Sequence, residues 1–406
     1  MAGRIRSAIM LPWLLPVFLA ATIFSGCGKT DDASATGSAP TAAGAGDMAK
    51  PSDTGPIKVG QYASLTGNEA TFGQSSDKGV KMAIEEINAA GGVKGRKIEL
   101  ITYDTKGQPQ ETGNAVTRLC ASDHVTALIG EVASSLSIAG GRVAQQYGVP
   151  MITHASTNPS VTEIGNMISR ICFIDPFQGF AMAKFAKENL KLTKVAVIYD
   201  QKQAYSKGLK DNFSKSFAEM GGTITTEQAF NGGDQDFSAQ LINIRGSGAE
   251  AIYVPSYYGD AANIAVRARA LGMTIPLMGG DGWDSAKLAE IGKDAIEGSY
   301  YSNHYTADDP NPAVQDFLKK FRAKYDNETP DAMAALGYDA GKLLADAMGR
   351  APSLSGPDLA AAIATTKGFQ GVTGVITMDA NRNADKPLVI VQMKGGKPVA
   401  VTTIAK

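Results

Sequence analysis

Histidine, cysteine and tryptophan are scarce in this 406-residue chain, with three, three and two copies. His124, His154 and His304 are far apart and lack the spacing of a zinc site, so no metal is expected. Cys27 lies near the N-terminus, which leaves Cys120 and Cys172 in the body, enough for one disulfide at most. Neither sign of charge dominates. The chain has 39 Lys and Arg against 40 Asp and Glu, with no basic block, which argues against a nucleic-acid partner. Beyond Phe24 no segment approaches 18 uninterrupted apolar residues, so the body has no candidate membrane span. No Gly-x-Ser-x-Gly elbow, Walker loop or paired His/Glu metal motif occurs, and this argues against an enzyme.

The N-terminus differs from the rest. Arg4 and Arg6 form a short basic start, an apolar run covers Ala8 to Phe24, and Phe24-Ser25-Gly26-Cys27 follows. Basic, apolar and small residues in that order make a secretory signal over residues 1–26. A cysteine directly after small residues resembles a lipoprotein box, in which Cys27 is diacylated and becomes the mature N-terminus. The alternative is a membrane helix. Against it, the run has 17 residues and carries Pro12 and Pro16, where a span needs roughly 20. Cleavage leaves 380 residues, comfortable for two lobes, and takes the net charge from −1 to −3. Residues 28–56 are nearly all Gly, Ala, Ser, Thr, Asp and Pro, and with Cys27 read as a lipidated, disordered tether spanning roughly 30 Å. Gly44-Ala45-Gly46-Asp47-Met48-Ala49 matches the dinucleotide fingerprint formally, but no strand precedes it and no helix pattern follows.

From Ile57 onward strands and helices alternate. Ile57–Ala63, Lys97–Tyr103, Val125–Ile129, Val149–Thr153 and Met167–Phe173 read as strands. Ser75–Ala90, Gln110–Ala121 and Ser135–Tyr147 read as the helices between them. The rhythm restarts with strands Lys194–Tyr199, Thr223–Gln228, Ala251–Val254 and Ile275–Met278. Their helices are Ser206–Met220, Asp236–Arg245, Asp260–Leu271 and Ser285–Ile291. Short apolar strands separated by amphipathic helices indicate parallel sheets covered on both faces. Two such units imply two lobes with a cleft between them, the default ligand site.

Ligands of open parallel sheets bind beyond the carboxyl ends of strands. In the first unit those ends carry Gly130 to Ser135 and His154-Ala155-Ser156-Thr157. Hydroxyls and free backbone N–H groups at a helix start suit a carboxylate. Ser134 and Ser135 can also be plain N-caps, but two such loops side by side favour a site. In the second unit the loops are Asp200 to Tyr205, Pro255-Ser256-Tyr257-Tyr258 and Gly279-Gly280-Asp281-Gly282-Trp283-Asp284. A carboxylate at Asp281, with Tyr205, Tyr257 and Trp283 near it, would suit a zwitterion with an apolar side chain. Each aromatic alone reads as packing; their shared placement at strand ends is what suggests contact.

In order along the chain stand Gly60-Gln61-Tyr62-Ala63-Ser64-Leu65-Thr66-Gly67, Ile87-Asn88-Ala89-Ala90-Gly91-Gly92-Val93-Lys94-Gly95-Arg96 and Pro150-Met151-Ile152-Thr153. Asp175-Pro176-Phe177-Gln178-Gly179, Gly280-Asp281-Gly282-Trp283 and Gly337-Tyr338-Asp339-Ala340 follow. This ordered set resembles the branched-chain amino-acid-binding proteins of Leu/Ile/Val-type ABC importers, from about Ile57 to Val391. The resemblance implies an α/β type I periplasmic binding fold, two doubly wound parallel-sheet lobes joined by a three-crossing hinge. The crossings would lie near Cys172–Pro176, Tyr301–Tyr305 and Asp379–Lys386. Lobe 1 would comprise residues 57–174 and 303–384, and lobe 2 residues 175–302 and 385–406.

By position the resemblance implies that Ser134 and Ser135 hold an α-carboxylate, and that Ala155, Ser156 and Thr157 form the loop gripping carboxylate and ammonium. Asp281 would pair with the ammonium, and Phe72, Tyr205, Tyr257 and Trp283 would be aromatic cleft positions. Asp281 stands where the leucine-type proteins have Glu, Trp283 adds bulk beside it, and His154 replaces a more usual Pro. These departures point to an amino acid without singling out leucine. In this fold Cys120 and Cys172 lie on different parts of the first lobe, beyond the roughly 7 Å that a disulfide tolerates.

The expected role is an exported, lipid-anchored receptor that passes an amino acid to an ABC permease. Such a receptor works as a monomer without cofactor or nucleic acid, attached to the membrane through Cys27 alone. A ligand sensor of the same fold is the second reading, and a receptor for another small carboxylate or amide the third. Export and tethering do not separate them.

Overall fold

The computed structural model describes residues 54–406. The segment read as a signal, Cys27 and the residues read as a tether as far as Asp53 lie outside the described residues.

Five parallel strands form the first sheet: β1 (Ile57–Ala63), β2 (Ile98–Asp104), β3 (Ala127–Ile129), β4 (Met151–Thr153) and β5 (Ile168–Arg170). Their spatial order is β2-β1-β3-β4-β5, with Val59 beside Ala127 and Met151 beside Ile168. All three residues of β3 are buried, as expected for a strand covered on both faces. The second sheet is built on β6 (Lys194–Asp200), β7 (Thr223–Phe230), β8 (Ala251–Tyr253), β9 (Leu277–Gly279) and β10 (Tyr300–Asn303). A small sheet follows, of β11 (Phe369–Gly371), β12 (Gly374–Met378) and β13 (Ala384–Asp385). The hairpin β14 (Leu388–Lys394) and β15 (Lys397–Ile404) then joins the second sheet antiparallel to β10. Its order is β15-β14-β10-β9-β8-β6-β7. The chain therefore passes between the two large sheets three times: between β5 and β6, after β10, and between β13 and β14.

The helices cover both faces, and one contact between them accounts for a missed boundary. The apolar spacing predicts a helix from Ser75, whereas the helix runs Ala70–Ala89. Its first turns carry Gly73, Ser75, Ser76 and Gly79, all buried yet invisible to a hydropathy pattern. They are small because other backbone lies against them. A Cβ at Gly73 would meet the Ser64 carbonyl, and one at Gly79 would come 2.0 Å from Ala334 O. In return, a Cβ at Gly337 on the helix Ala332–Arg350 would stand 2.4 Å from Ser76 O. Two glycines thus let the helices touch, and tie a late segment of the chain to the first sheet.

Among the described residues, no helix is long and apolar enough to cross a membrane. Cys120 and Cys172 are both buried free thiols.

Candidate functional site

The carboxyl ends of the strands bring two sets of loops face to face. In the first lobe, β3 leads into the helix Ser134–Tyr147 through a segment governed by Glu131. Its buried carboxylate accepts from Ser64 Oγ (2.6 Å), Thr105 Oγ1 (2.9 Å) and the amides of Val132 (2.5 Å) and Ala133 (3.2 Å). Burial raises its pKa, and these hydrogen bonds draw it back. Ser134, buried at the helix start, accepts from the Asn158 amide at 3.2 Å. The amides of Leu136 and Ser137 both donate to Ala133 O at 3.0 Å, which leaves those of Ser134 and Ser135 as the helix-start amides without an intrahelical acceptor.

The neighbouring loop after β4 divides its residues. Ala155 lines the cleft, and Thr157 two residues on is buried, with a hydroxyl that makes no well-formed hydrogen bond. Ser156 turns away. Its hydroxyl lies 3.0 Å from Glu131 O, 2.9 Å from Val132 O and 2.7 Å from Ser137 Oγ, which staples the two loops together. The expectation that Ser156 contacts ligand through its side chain is corrected accordingly. His154 is fully buried with neither ring nitrogen hydrogen-bonded, and burial pushes its pKa down to about 3.

From the second lobe come Tyr205, Tyr257 and Asp281. The two tyrosine rings stack 5.2 Å apart with planes 5° from parallel. Tyr205 accepts the Gly282 amide at 3.1 Å, and Gln178 Oε1 accepts the Asp281 amide at 2.9 Å. These two bonds fix the turn that carries the acid. Asp281 Oδ2 lies 3.0 Å from His304 Nε2, while Oδ1 is buried without a protein partner. Phe72 crosses from the first lobe and stands edge-on to Tyr257 at 5.7 Å and to Tyr258 at 4.8 Å.

Trp283 requires a correction. Expected beside the ligand, it is instead fully buried in the second lobe. Its Nε1 donates to Val254 O at 3.0 Å, and its ring packs against Tyr301 at 6.0 Å. Ser135 departs as well, since its hydroxyl bonds the other lobe rather than facing inward.

What remains between the lobes is a small cavity of about 10 Å³, lined by Val132, Ala155, Tyr205, Tyr257, Asp281, Gly282 and Met333. Its walls are apolar and aromatic, with one carboxylate. Sequence reasoning missed Val132 and Met333, and also the supports Gln178 and His304. Gln178 sat in a quoted motif with no role assigned. Among the described residues, no cluster of His, Cys, Asp and Glu could hold a metal ion.

The chain matches the periplasmic binding protein family over residues 56–397. The Leu/Ile/Val-binding protein homolog 3 of Brucella melitensis is 31% identical, over 82% of this chain and 89% of that protein. The crystal structure of a leucine-binding protein from Thermotoga maritima shares 40% identity at a TM-score of 0.83, covering 86% of this chain and 99% of that one. The branched-chain amino-acid transporter substrate-binding protein of Streptococcus pneumoniae, in complex with isoleucine, is 32% identical at a TM-score of 0.81. It covers the same shares, 86% and 99%. A solute-binding protein of an R. palustris ABC transporter, in complex with benzoate, is 25% identical at 0.78, covering 87% and 98%.

Proposed function

The chain belongs to the periplasmic binding protein family, a family of binding proteins rather than enzymes, and from that premise we propose that it captures an amino acid between its lobes. The observation that carries this reading is the buried, unpartnered Oδ1 of Asp281 facing the Ser134 and Thr157 loops across an apolar cavity. An α-ammonium meets Asp281, and an α-carboxylate meets Ser134, Thr157 and the helix start. The side chain lies among Phe72, Tyr257, Val132 and Met333, which suits an aliphatic or aromatic group. Ala155 contributes backbone beside the ligand, and Tyr205 closes the cavity over Asp281.

On this reading the lobes, residues 57–174 with 303–384 and 175–302 with 385–406, hinge shut on the ligand, and the closed form is presented to an ABC permease. A ligand that touches both lobes favours closure by its differential contacts. A lipid on Cys27 would keep the monomer at the membrane outside the cytoplasm.

A second reading, a carboxylate without an ammonium, is favoured by the benzoate complex of one structural neighbour. Native mass spectrometry for a co-purified ligand, followed by calorimetry with amino acids and with benzoate, separates the two. The amino-acid reading expects Asp281→Asn to cost roughly 3–5 kcal/mol, because it leaves a buried charge with one partner removed. Benzoate binding with no amino-acid binding would establish the second reading instead.

A further inference from the structure

Asp281 divides its two oxygens. In this residue at the cavity wall, Oδ1 is buried without a protein partner, whereas Oδ2 is held by Nε2 of His304 at 3.0 Å, both side chains being almost completely buried. His304 directly follows β10, where the chain leaves the second sheet. Its ring lies flat on Phe173, with centroids 3.8 Å apart and planes at 16°. Phe173 belongs to the first passage between the sheets, so two hinge segments clamp one imidazole. The charged and titratable groups around that ring are Asp281, Lys386 on the third passage, and His154 from the first lobe.

Burial holds the His304 imidazole below its ordinary range, with Lys386 acting in the same sense and Asp281 opposing both. A neutral ring beside a carboxylate keeps its single proton on Nε2 and donates it, which leaves Nδ1 bare. Nδ1 has no partner in the structure.

We propose that His304 is a positioning residue for ligand recognition: by donating from Nε2 to Oδ2 it turns Oδ1 of Asp281 toward the ammonium of a bound amino acid. The proposal rests on the amino-acid reading above. It also couples binding to a proton. A second proton on Nδ1 makes the ring a cation that competes with the ammonium for Asp281. Binding an ammonium ligand then expels that proton, so affinity falls as the solution becomes acidic. A ligand without an ammonium gains nothing from the expulsion.

The test is calorimetric titration of the wild type, His304→Gln and His304→Leu at about pH 5 and pH 7.5. The probes are leucine and phenylalanine, with 4-methylpentanoate and 3-phenylpropanoate as their forms lacking the amino group. Hydrogen bonds to charged groups imply a roughly 10- to 100-fold loss of amino-acid affinity in His304→Leu. The deaminated probes should change little. His304→Gln, which still offers an N–H near the Nε2 position, should recover most of the loss. Wherever the wild type releases protons on binding amino acids, that release should be absent from both variants.

Equal losses for amino acids and deaminated probes would overturn the proposal, as would a Gln variant no better than Leu. Should His304→Leu fail to fold, the Gln variant decides: amino acids and deaminated probes weakened to the same degree would overturn the proposal. Wild type that binds neither amino acid overturns the reading and the proposal together. Amino-acid binding left unchanged by both variants overturns the proposal alone.

Discussion

Ser135 and Gln203 join the two lobes directly: Ser135 Oγ donates to Gln203 Oε1 at 3.1 Å and accepts the Ala204 amide at 3.0 Å. Asn158 adds a third bond, from Nδ2 to Ala204 O at 2.8 Å. On the far side of the cleft Tyr258 donates to Asn68 O at 2.7 Å, and Thr71 meets Ser285 at 2.9 Å. The lobes are thus fastened on both flanks of the cavity, and Ser135 belongs to the fastening.

Ser135→Ala should therefore weaken every ligand to a similar degree. A neutral hydrogen bond contributes roughly 0.5–1.5 kcal/mol net, so the loss is about 2- to 13-fold. It should appear as faster release, measured by stopped-flow dissociation, because closure is what the bond holds. Ser134→Ala, by contrast, should discriminate between ligands with and without a free carboxylate. A Ser135→Ala variant that discriminates in that way would return Ser135 to the ligand.

Trp283 is the only tryptophan outside the N-terminal segment, and it reports on the core. Its indole is fully buried between Val254, Tyr301 and the backbone at Gly279, where a Cβ would stand 2.1 Å from the ring. Emission should be that of an apolar site and should change little on ligand binding. Trp283→Phe should lower stability by roughly 1–3 kcal/mol in chemical denaturation while leaving ligand selectivity unchanged. A shift in selectivity would put the ring back at the cleft.

The contrast between Asp281 and Trp283 shows what the sequence could not display. The two are consecutive but for Gly282, and both sit at the end of β9. A 3₁₀ turn over Asp281–Trp283 sends successive side chains about a third of a turn apart, so one enters the cleft and the other the core. The strand ends themselves were legible, because β3, β4, β8 and β9 are short apolar runs ending in Gly, Ser, Thr or Pro. Ser134, Thr157, Tyr257 and Asp281 follow from them, and Tyr205 from the end of β6. His304 and Met333 were not legible, since each reaches the site from a segment beyond the last strand that apolar spacing marks. The small-residue face of the helix Ala70–Ala89 was hidden for a different reason: close backbone approach selects glycine and serine, which carry no hydropathy signal.

That close approach can be tested. A methyl group at Gly337 would fall 2.4 Å from Ser76 O, backbone that moves only if the whole helix moves. Gly337→Ala raises helix propensity yet should destabilise, because overpacking costs roughly 1–3 kcal/mol. A thermal melt higher than that of the wild type would mean the helices separate without cost.

The last prediction concerns two buried carboxyls with poorly satisfied oxygens. Asp175 starts the helix that enters the second lobe, and neither of its oxygens has a well-formed hydrogen bond. Burial pushes its pKa up to about 8, with Asp281 adding to the rise while Thr157 and Arg170 oppose it. Glu69, at the head of the helix Ala70–Ala89, is likewise pushed up to about 8 by burial, then by Glu131, Asp260 and Asp200. An acid whose folded pKa is raised binds its proton more tightly in the folded state. Its stabilisation is complete below the unfolded value near 4 and is lost as pH rises through about 8. Wild-type thermal stability should therefore fall between about pH 6.5, above which buried His154 no longer adds stability with rising pH, and pH 8.5. Asp175→Asn, neutral at every pH, should melt like the wild type at the acidic end and about 2–4 °C higher at the alkaline end. Glu69→Gln should do the same, and the double variant should flatten the profile further. A wild-type profile that rises across this interval, or variants that follow it in parallel, would mean that both carboxyls are ionised and solvated in the folded protein.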